Sequence, residues 1–252
     1  MSFCFTKMHG LGNDFVVVNA ISQSFDLQSD EIRLLSNRRT GIGFDQLLVV
    51  EAPRSASADF YYRIFNANGT EVGQCGNGAR CIGLFIEQQQ LSNQSEWVLQ
   101  TQTASMRVES VGQGQYRVHL PVPHFTAEEI PLNEESIVMP GQLELAGELI
   151  SFAAVNVGNP HMIIEVDSIH DEEAERLGSG LSIHPLFAEG VNVSFVRRQS
   201  REHIMIRVYE RGVGLTLACG SAACAAVAVG VRQKKLASRV LVEQRGGALM
   251  VS

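Results

Sequence analysis

A mixed α/β (α+β) fold in two halves of similar plan is predicted by three observations. Short apolar or alternating runs rich in Val, Ile, Phe and Tyr recur between turn residues. Two expected helix starts, Cys75-Gly76-Asn77-Gly78-Ala79-Arg80 and Cys219-Gly220-Ser221-Ala222-Ala223, repeat a cysteine followed by glycine and a small polar residue. Between them Pro121-Val122-Pro123 interrupts the pattern, because proline fixes φ and removes a ladder donor. A boundary near residue 120 follows, dividing an N-terminal domain, 1–120, that carries Cys75 from a C-terminal domain, 121–252, that carries Cys219.

In chain order, strands are expected at residues 3–9, 15–19, 46–51 and 60–66. Ser29-Asp30-Glu31-Ile32-Arg33-Leu34-Leu35 offers an N-cap and then a short apolar face, a helix of a few turns. After the Asn68-Gly69 turn comes the first cysteine helix, 77–89, then strands at 97–102, 105–110 and 116–120. The prolines and the polar run to Pro140 read as a linker. The second half has strands at 149–157, 161–165, 193–197 and 203–209, the second cysteine helix over 221–233, and strands at 239–243 and 248–252 around Gly246-Gly247. Three strands follow the first cysteine helix and two the second, so the second half is expected to be short by at least one strand.

Composition narrows the function classes. At 252 residues and a net charge of -7, with arginines scattered and no basic run, a nucleic-acid partner is not expected. The N-terminus lacks a signal-peptide pattern, and the most apolar stretch, 222–231, is too short to span a bilayer. Five cysteines with no CxxC pair argue against a disulfide framework or a zinc site, so a reducing cytoplasm is the expected compartment. Cys4, Cys81 and Cys224 read as core residues. Dinucleotide, P-loop, HExxH and GxSxG signatures are missing, and the only lysines, Lys7, Lys234 and Lys235, make a Schiff-base enzyme improbable. No cofactor and no metal are expected.

Cys75 and Cys219 point to chemistry because a helix N-terminus lowers a thiol's pKa and presents free N–H groups to an anion such as a carboxylate. If the halves pack face to face, one thiolate could remove a proton from a carbon while the other, as thiol, delivers one to the opposite face. That inverts a stereocentre. Asn13, Gln46, Asn66, Asn159, His161 and Asn192 sit beside glycines or prolines in expected loops or at strand ends. Singly they are turn residues; together they suit a zwitterionic amino acid. Arg211, at a strand end shortly before Cys219, could grip a carboxylate in a bidentate fork, and His161 could tune a thiol.

These stretches resemble the diaminopimelate epimerase family. The resemblance is carried by Lys7-Met8-His9-Gly10-Leu11-Gly12-Asn13-Asp14-Phe15, Gly41-Ile42-Gly43-Phe44-Asp45-Gln46, Phe65-Asn66-Ala67-Asn68-Gly69, residues 74–80, residues 158–161, Tyr209-Glu210-Arg211-Gly212 and Ala218-Cys219-Gly220-Ser221, in family order. It implies two pseudo-symmetric domains, each of mainly antiparallel strands curled around a central helix, with the active site in the cleft between them. It also implies a cofactor-independent epimerase that interconverts LL- and meso-2,6-diaminoheptanedioate, on the route to lysine and peptidoglycan precursors, as a homodimer. In the family pattern Cys75 is the proton donor and Cys219 the acceptor for the LL substrate. Gly76, Asn77, Gly220 and Ser221 would hold the reacting carboxylate. Asn13, Gln46, Asn66, Asn159, Asn192, Glu210 and Arg211 would bind the rest, and His161 and Glu210 would adjust the thiols. Leu215 and Ala222 stand where many relatives carry Glu and Gly. The nearest rival keeps the two-thiol chemistry and changes the substrate to proline, hydroxyproline or another amino acid; a catalytically dead binding protein is the rival from another class.

Overall fold

The computed structural model describes residues 3–73, 76–133 and 140–252. Internal contacts divide the chain into two compact units, Met1–His119 and Leu120–Ser252.

The first unit runs β1 (Thr6–Gly10), β2 (Asn13–Asn19), α1 (Ser29–Ser36), β3 (Gln46–Glu51), β4 (Phe60–Asn66), β5 (Glu71–Val72), α2 (Gly76–Gln88), β6 (Glu96–Gln100), β7 (Ser105–Gly112) and β8 (Gln115–His119). Its strands form one eight-stranded sheet in the order β1-β2-β3-β4-β6-β7-β8, with β5 on β4. The β2–β3 and β4–β6 pairs are parallel and the rest antiparallel. Both faces of β2 and β3 are buried, which is why these strands read as continuous apolar runs instead of alternating. Phe15, Val17, Leu48 and Trp97 pack with Ile82 and Phe85 of α2, whereas Val16, Val18, Leu47 and Val49 pack with Ile32 of α1. Because α2 touches β1 and β2 at one edge and β7 and β8 at the other, the sheet curls around it. Gly83 permits that closeness: a Cβ there would lie 2.7 Å from the Tyr116 ring of β8.

The second unit runs β9 (Gly141–Leu145), β10 (Glu148–Asn156), β11 (Pro160–Glu165), α3 (Asp171–Leu181), β12 (Asn192–Arg198), β13 (His203–Glu210), β14 (Gly214–Thr216), α4 (Gly220–Arg232), β15 (Val240–Gln244) and β16 (Gly247–Val251). The sheet again has eight strands, ordered β16-β15-β13-β12-β11-β10-β9 with β14 on β13. Small residues of α4, including Ala222, Ala223 and Ala226, pack against Val155, Ile163 and Val208 on one face. On the other face α3 presents Ala174, Leu177 and Leu181 to Phe195 and Val193.

The two units share a connectivity. An antiparallel pair, a helix, a parallel strand and two further antiparallel strands precede a central helix and a strand parallel to the earlier ladder, in β1 to β6 with α1 and α2, and in β10 to β15 with α3 and α4. Matching the ladders sets Phe15 against His161 and Gln46 against Asn192 in the repeat, because Phe15 faces Gln46 and His161 faces Asn192 across the parallel pairs.

Three readings need correction. Residues 124–133 are not a free linker: Ile130 is fully buried in the second unit's core, and His124 bridges to Asn156. Residues 134–139 of that run lie outside the described residues. Cys4 is exposed, not core, because it precedes the edge strand β1; its backbone N–H and C=O pair with the Gln23 side chain at 2.8 Å each. Cys81 is buried as expected, and Cys224 is half-buried. No helix among the described residues is long and apolar enough to cross a membrane.

Candidate active site

Cys75 lies outside the described residues, so the first unit's candidate site is described through its neighbours. The β1–β2 connection is a two-residue turn at Leu11-Gly12 with φ of 56° and 86°, the left-handed pair that a type I′ hairpin demands. It delivers Asn13 to the start of β2. Gln46 opens β3 and Asn66 closes β4, and the antiparallel register sets them opposite each other. The Gln46 side-chain N–H donates to Asn66 Oδ1 at 2.9 Å, while Gln46 Oε1 is buried with no hydrogen-bond partner among the described residues. Asn77, in the first turn of α2, is buried and accepts from Arg80 at 2.6 Å. Gly10 brings the hairpin against that turn: a Cβ there would lie 3.4 Å from the Asn77 carbonyl. Gly76, the first residue of α2, has open space where a side chain would project.

In the second unit, His161 near the start of β11 and Asn192 at the start of β12 are register partners, and Glu210 ends β13. Cys219 is the N-cap of α4, in extended backbone, and Gly220 and Ser221 begin the helix. His161 is completely buried, with Nε2 at 3.0 Å from Asn159 Oδ1 and 3.2 Å from Ser221 Oγ. Ser221 Oγ in turn lies 3.3 Å from Cys219 Sγ. Burial pushes the His161 pKa down to about 3, assisted by the positive charge of Arg211, so the ring is neutral near pH 7. The Asn159 oxygen can only accept, which assigns the ring proton to Nε2 and frees the Ser221 hydroxyl to donate to Sγ. This arrangement supports negative charge on sulfur at the positive end of α4.

Glu210 is largely buried, and burial raises its pKa against the opposing pull of the Thr216 hydroxyl and the Cys219 thiol. The Arg211 backbone N–H donates to Asn192 Oδ1 at 2.9 Å. Its guanidinium is half-exposed and donates to the Glu189 carbonyl, with the Glu189 carboxylate 4.0 Å away. Asn159, His161, Ser221 and Cys219 are thus brought into one polar chain, and Asn192 is joined to Arg211. Among the described residues, no group of three or more His, Cys, Asp and Glu side chains could hold a metal ion.

Sequence reasoning missed Gln244. This residue of β15 is buried, and its Oε1 accepts the Cys219 backbone N–H at 2.8 Å. The signal was present in the alternation of Val240-Leu241-Val242-Glu243-Gln244, where a polar residue occupies a core-facing position.

The neutral state of His161 has a consequence for stability. In the unfolded chain the ring takes a proton below pH 6.5, whereas in the fold it does so only near 3, so the unfolded state binds more protons between those values. Stability therefore falls as pH drops through this window. From pH 6.5 to 5 the loss expected from this group is about 1.6 kcal/mol, because the unfolded ring goes from half to almost fully protonated over that range. Urea unfolding of the wild type and His161→Gln at both pH values checks it: the variant should lose less stability on acidification.

The family described as Diaminopimelate epimerase matches residues 5–123 and 153–252. The chain belongs to the diaminopimelate epimerase family. It is therefore an isomerase. The diaminopimelate epimerase of Coxiella burnetii (strain RSA 493 / Nine Mile phase I) is 47% identical over 251 residues, covering 100% of this chain and 91% of the relative. That of Buchnera aphidicola subsp. Acyrthosiphon pisum (strain 5A) is 47% identical over 247 residues, 98% of this chain and 87% of the relative. Among solved structures, a hydroxyproline epimerase from Agrobacterium vitis with bound trans-4-hydroxy-L-proline has a TM-score of 0.67 at 14% identity, covering 98% of this chain and 82% of that one. A phenazine biosynthesis protein of the PhzF family from Bacillus anthracis has a TM-score of 0.64 at 16% identity, covering 98% and 88%. At such identities the likeness is one of fold alone.

Proposed function

We propose that the enzyme interconverts LL- and meso-2,6-diaminoheptanedioate by a two-base proton transfer between Cys75 and Cys219. For the LL substrate, the Cys219 thiolate takes the α-proton, and the C–H electron pair stays on the α-carbon, spread into the carboxylate. The Cys75 thiol then delivers its proton to the opposite face, leaving the thiolate there and the thiol at Cys219. The reverse reaction exchanges the two roles.

The observation that carries this reading in the second unit is the polar chain ending on sulfur: Asn159, His161 Nε2, Ser221 Oγ and Cys219 Sγ, with steps of 3.0, 3.2 and 3.3 Å. Helix N–H groups of Gly76, Asn77, Gly220 and Ser221 hold the reacting carboxylate, where preorganised donors offset the charge developing on it. Asn13, Gln46, Asn66, Asn159, Asn192, Glu210 and Arg211 bind the remainder of the substrate. The buried Gln46 Oε1, with no partner among the described residues, offers an acceptor suited to an ammonium group. His161 and Glu210 act on the Cys219 thiol. Proline-type substrates have only the fold likeness in their favour, whereas 47% identity over the whole chain favours diaminopimelate. The family pattern further suggests a cytoplasmic homodimer, and the acidic net charge of -7 suits no nucleic-acid partner.

The test is to incubate the reduced enzyme with LL-diaminopimelate in D2O and follow the α-proton signal. Loss of that signal together with appearance of the meso isomer is expected. No exchange by the folded, reduced protein would refute the substrate assignment.

A further inference from the structure

Asn13 and Gln46 stand at the starts of β2 and β3, two strands that run parallel. No tight turn can join parallel neighbours, so chain connectivity does not set the distance between these two side chains. One residue away from each stands a carboxylate, Asp14 after Asn13 and Asp45 before Gln46. The two are cross-bonded. The Asp14 N–H donates to Asp45 Oδ2 at 3.0 Å, and the Asp45 N–H donates to Asp14 Oδ1 and to the Asp14 carbonyl, each also at 3.0 Å.

Two carboxylates this close repel unless cations stand between them. Arg38 bridges both, reaching the Asp14 oxygens at 3.0 and 2.6 Å and Asp45 Oδ1 at 2.7 Å. Lys7, on β1, takes Asp14 Oδ2 at 2.6 Å and also donates to the Gly43 carbonyl. Gly43 has φ of +73°, and a Cβ there would lie 3.0 Å from Arg38 Cα, so glycine lets the loop close over the arginine. Burial alone would raise the Asp14 pKa, but the hydrogen bonds from Arg38 and Lys7 hold it well below the usual carboxylate range. The carboxylate is therefore charged near neutral pH.

We infer that Lys7, Asp14, Arg38 and Asp45 form a clamp that fixes the spacing of Asn13 and Gln46, making these four positioning residues for substrate binding. The inference rests on the assignment of Asn13 and Gln46 to the substrate. An exposed ion pair by itself adds little to stability, and the Arg38 side chain is 58% exposed. The network's effect is geometric: beside the first rung of the parallel ladder, Phe15 with Gln46, it adds side-chain ties between the two strand ends at the point where both carry a proposed substrate contact.

Arg38→Met keeps the apolar stem and removes the bridge. With LL-diaminopimelate as substrate, KM is expected to rise about tenfold while kcat stays within about twofold, the pattern of lost binding common to ground and transition states. Asp45→Ala should act alike, and the double variant should raise KM no further than the larger single change, since both break one device. Thermal melting verifies that each variant is folded. A KM within about twofold of wild type in folded Arg38→Met, or KM shifts that multiply in the double variant, overturns the clamp. A wild-type enzyme measured alongside that does not turn over this substrate overturns the substrate assignment, and the clamp's role with it.

Discussion

Cys219→Ala and Cys75→Ala are each expected to lower kcat for epimerisation by about 10³-fold or more, the scale of a lost general acid or base. On the proposed mechanism each thiol serves one face of the α-carbon, so losing either removes the group that exchanges a proton with carbon on that face. Cys219 has only 7% of its surface exposed, yet alanine there deletes a single sulfur at the start of α4, and the fold should survive. The measurement is α-proton exchange and meso formation from LL-diaminopimelate in D2O, with circular dichroism as the folding control. Inversion at a near wild-type rate by either folded variant would sink the two-base mechanism.

Glu210→Gln is expected to lower kcat by about 10²-fold with a much smaller change in KM. The carboxyl is largely buried, its pKa is raised by that burial, and it interacts with the Cys219 thiol. A carboxyl poised nearer neutrality can exchange a proton with a thiol, whereas an amide of the same shape cannot. Initial rates across a pH series give kcat and KM separately, and thermal melting reports the cost of the amide in a buried site. An unchanged kcat in a folded variant would remove Glu210 from the acid–base machinery and leave it a packing role.

The repeat frames this asymmetry. Register matching puts Phe15 where the second unit has His161, and Asn66, facing Gln46, where it has Glu210, one residue beyond the terminal Val193–Tyr209 pair of the β12–β13 ladder. The ionisable groups that accompany Cys219 therefore have neutral counterparts in the first unit.

Much of the fold was legible because it is local. β3 and β4 span the residues expected, 46–51 and 60–66, since continuous apolar runs bounded by turns have few other readings. Both cysteine helices also lie where the sequence places them, within one residue at each end. Four elements were missed. β5 and β14 are two and three residues long and exist only as additions to β4 and β13. β9 lies in the stretch after Pro140, where prolines and polar residues masked the buried positions Gly141 and Leu143. α3 carries Gly178 and Gly180, poor helix formers, because a Cβ at Gly178 would come within 2.5 Å of Tyr209. Tertiary closeness overrode propensity there, as it did at Ile130, whose burial turns an apparent linker into core.

For the candidate site the division is similar. The sequence nominates Asn13, Gln46, Asn66, Asn159, His161, Asn192, Glu210, Arg211 and the two cysteines as candidates, because glycines, prolines and helix starts mark places where backbone groups and polar side chains are available to a ligand. The sequence by itself also determined the strand pattern, the two helix starts and the family. Only the tertiary structure decided that Ser221 joins His161 to Cys219, that Gln244 holds the Cys219 N–H, and that Arg38 links Asp14 to Asp45. Those contacts join residues 60, 25, 24 and 7 positions apart. Hydrophobic periodicity is written in neighbouring residues, but a hydrogen bond between distant ones exists only after sheet register and helix packing have brought its two ends together.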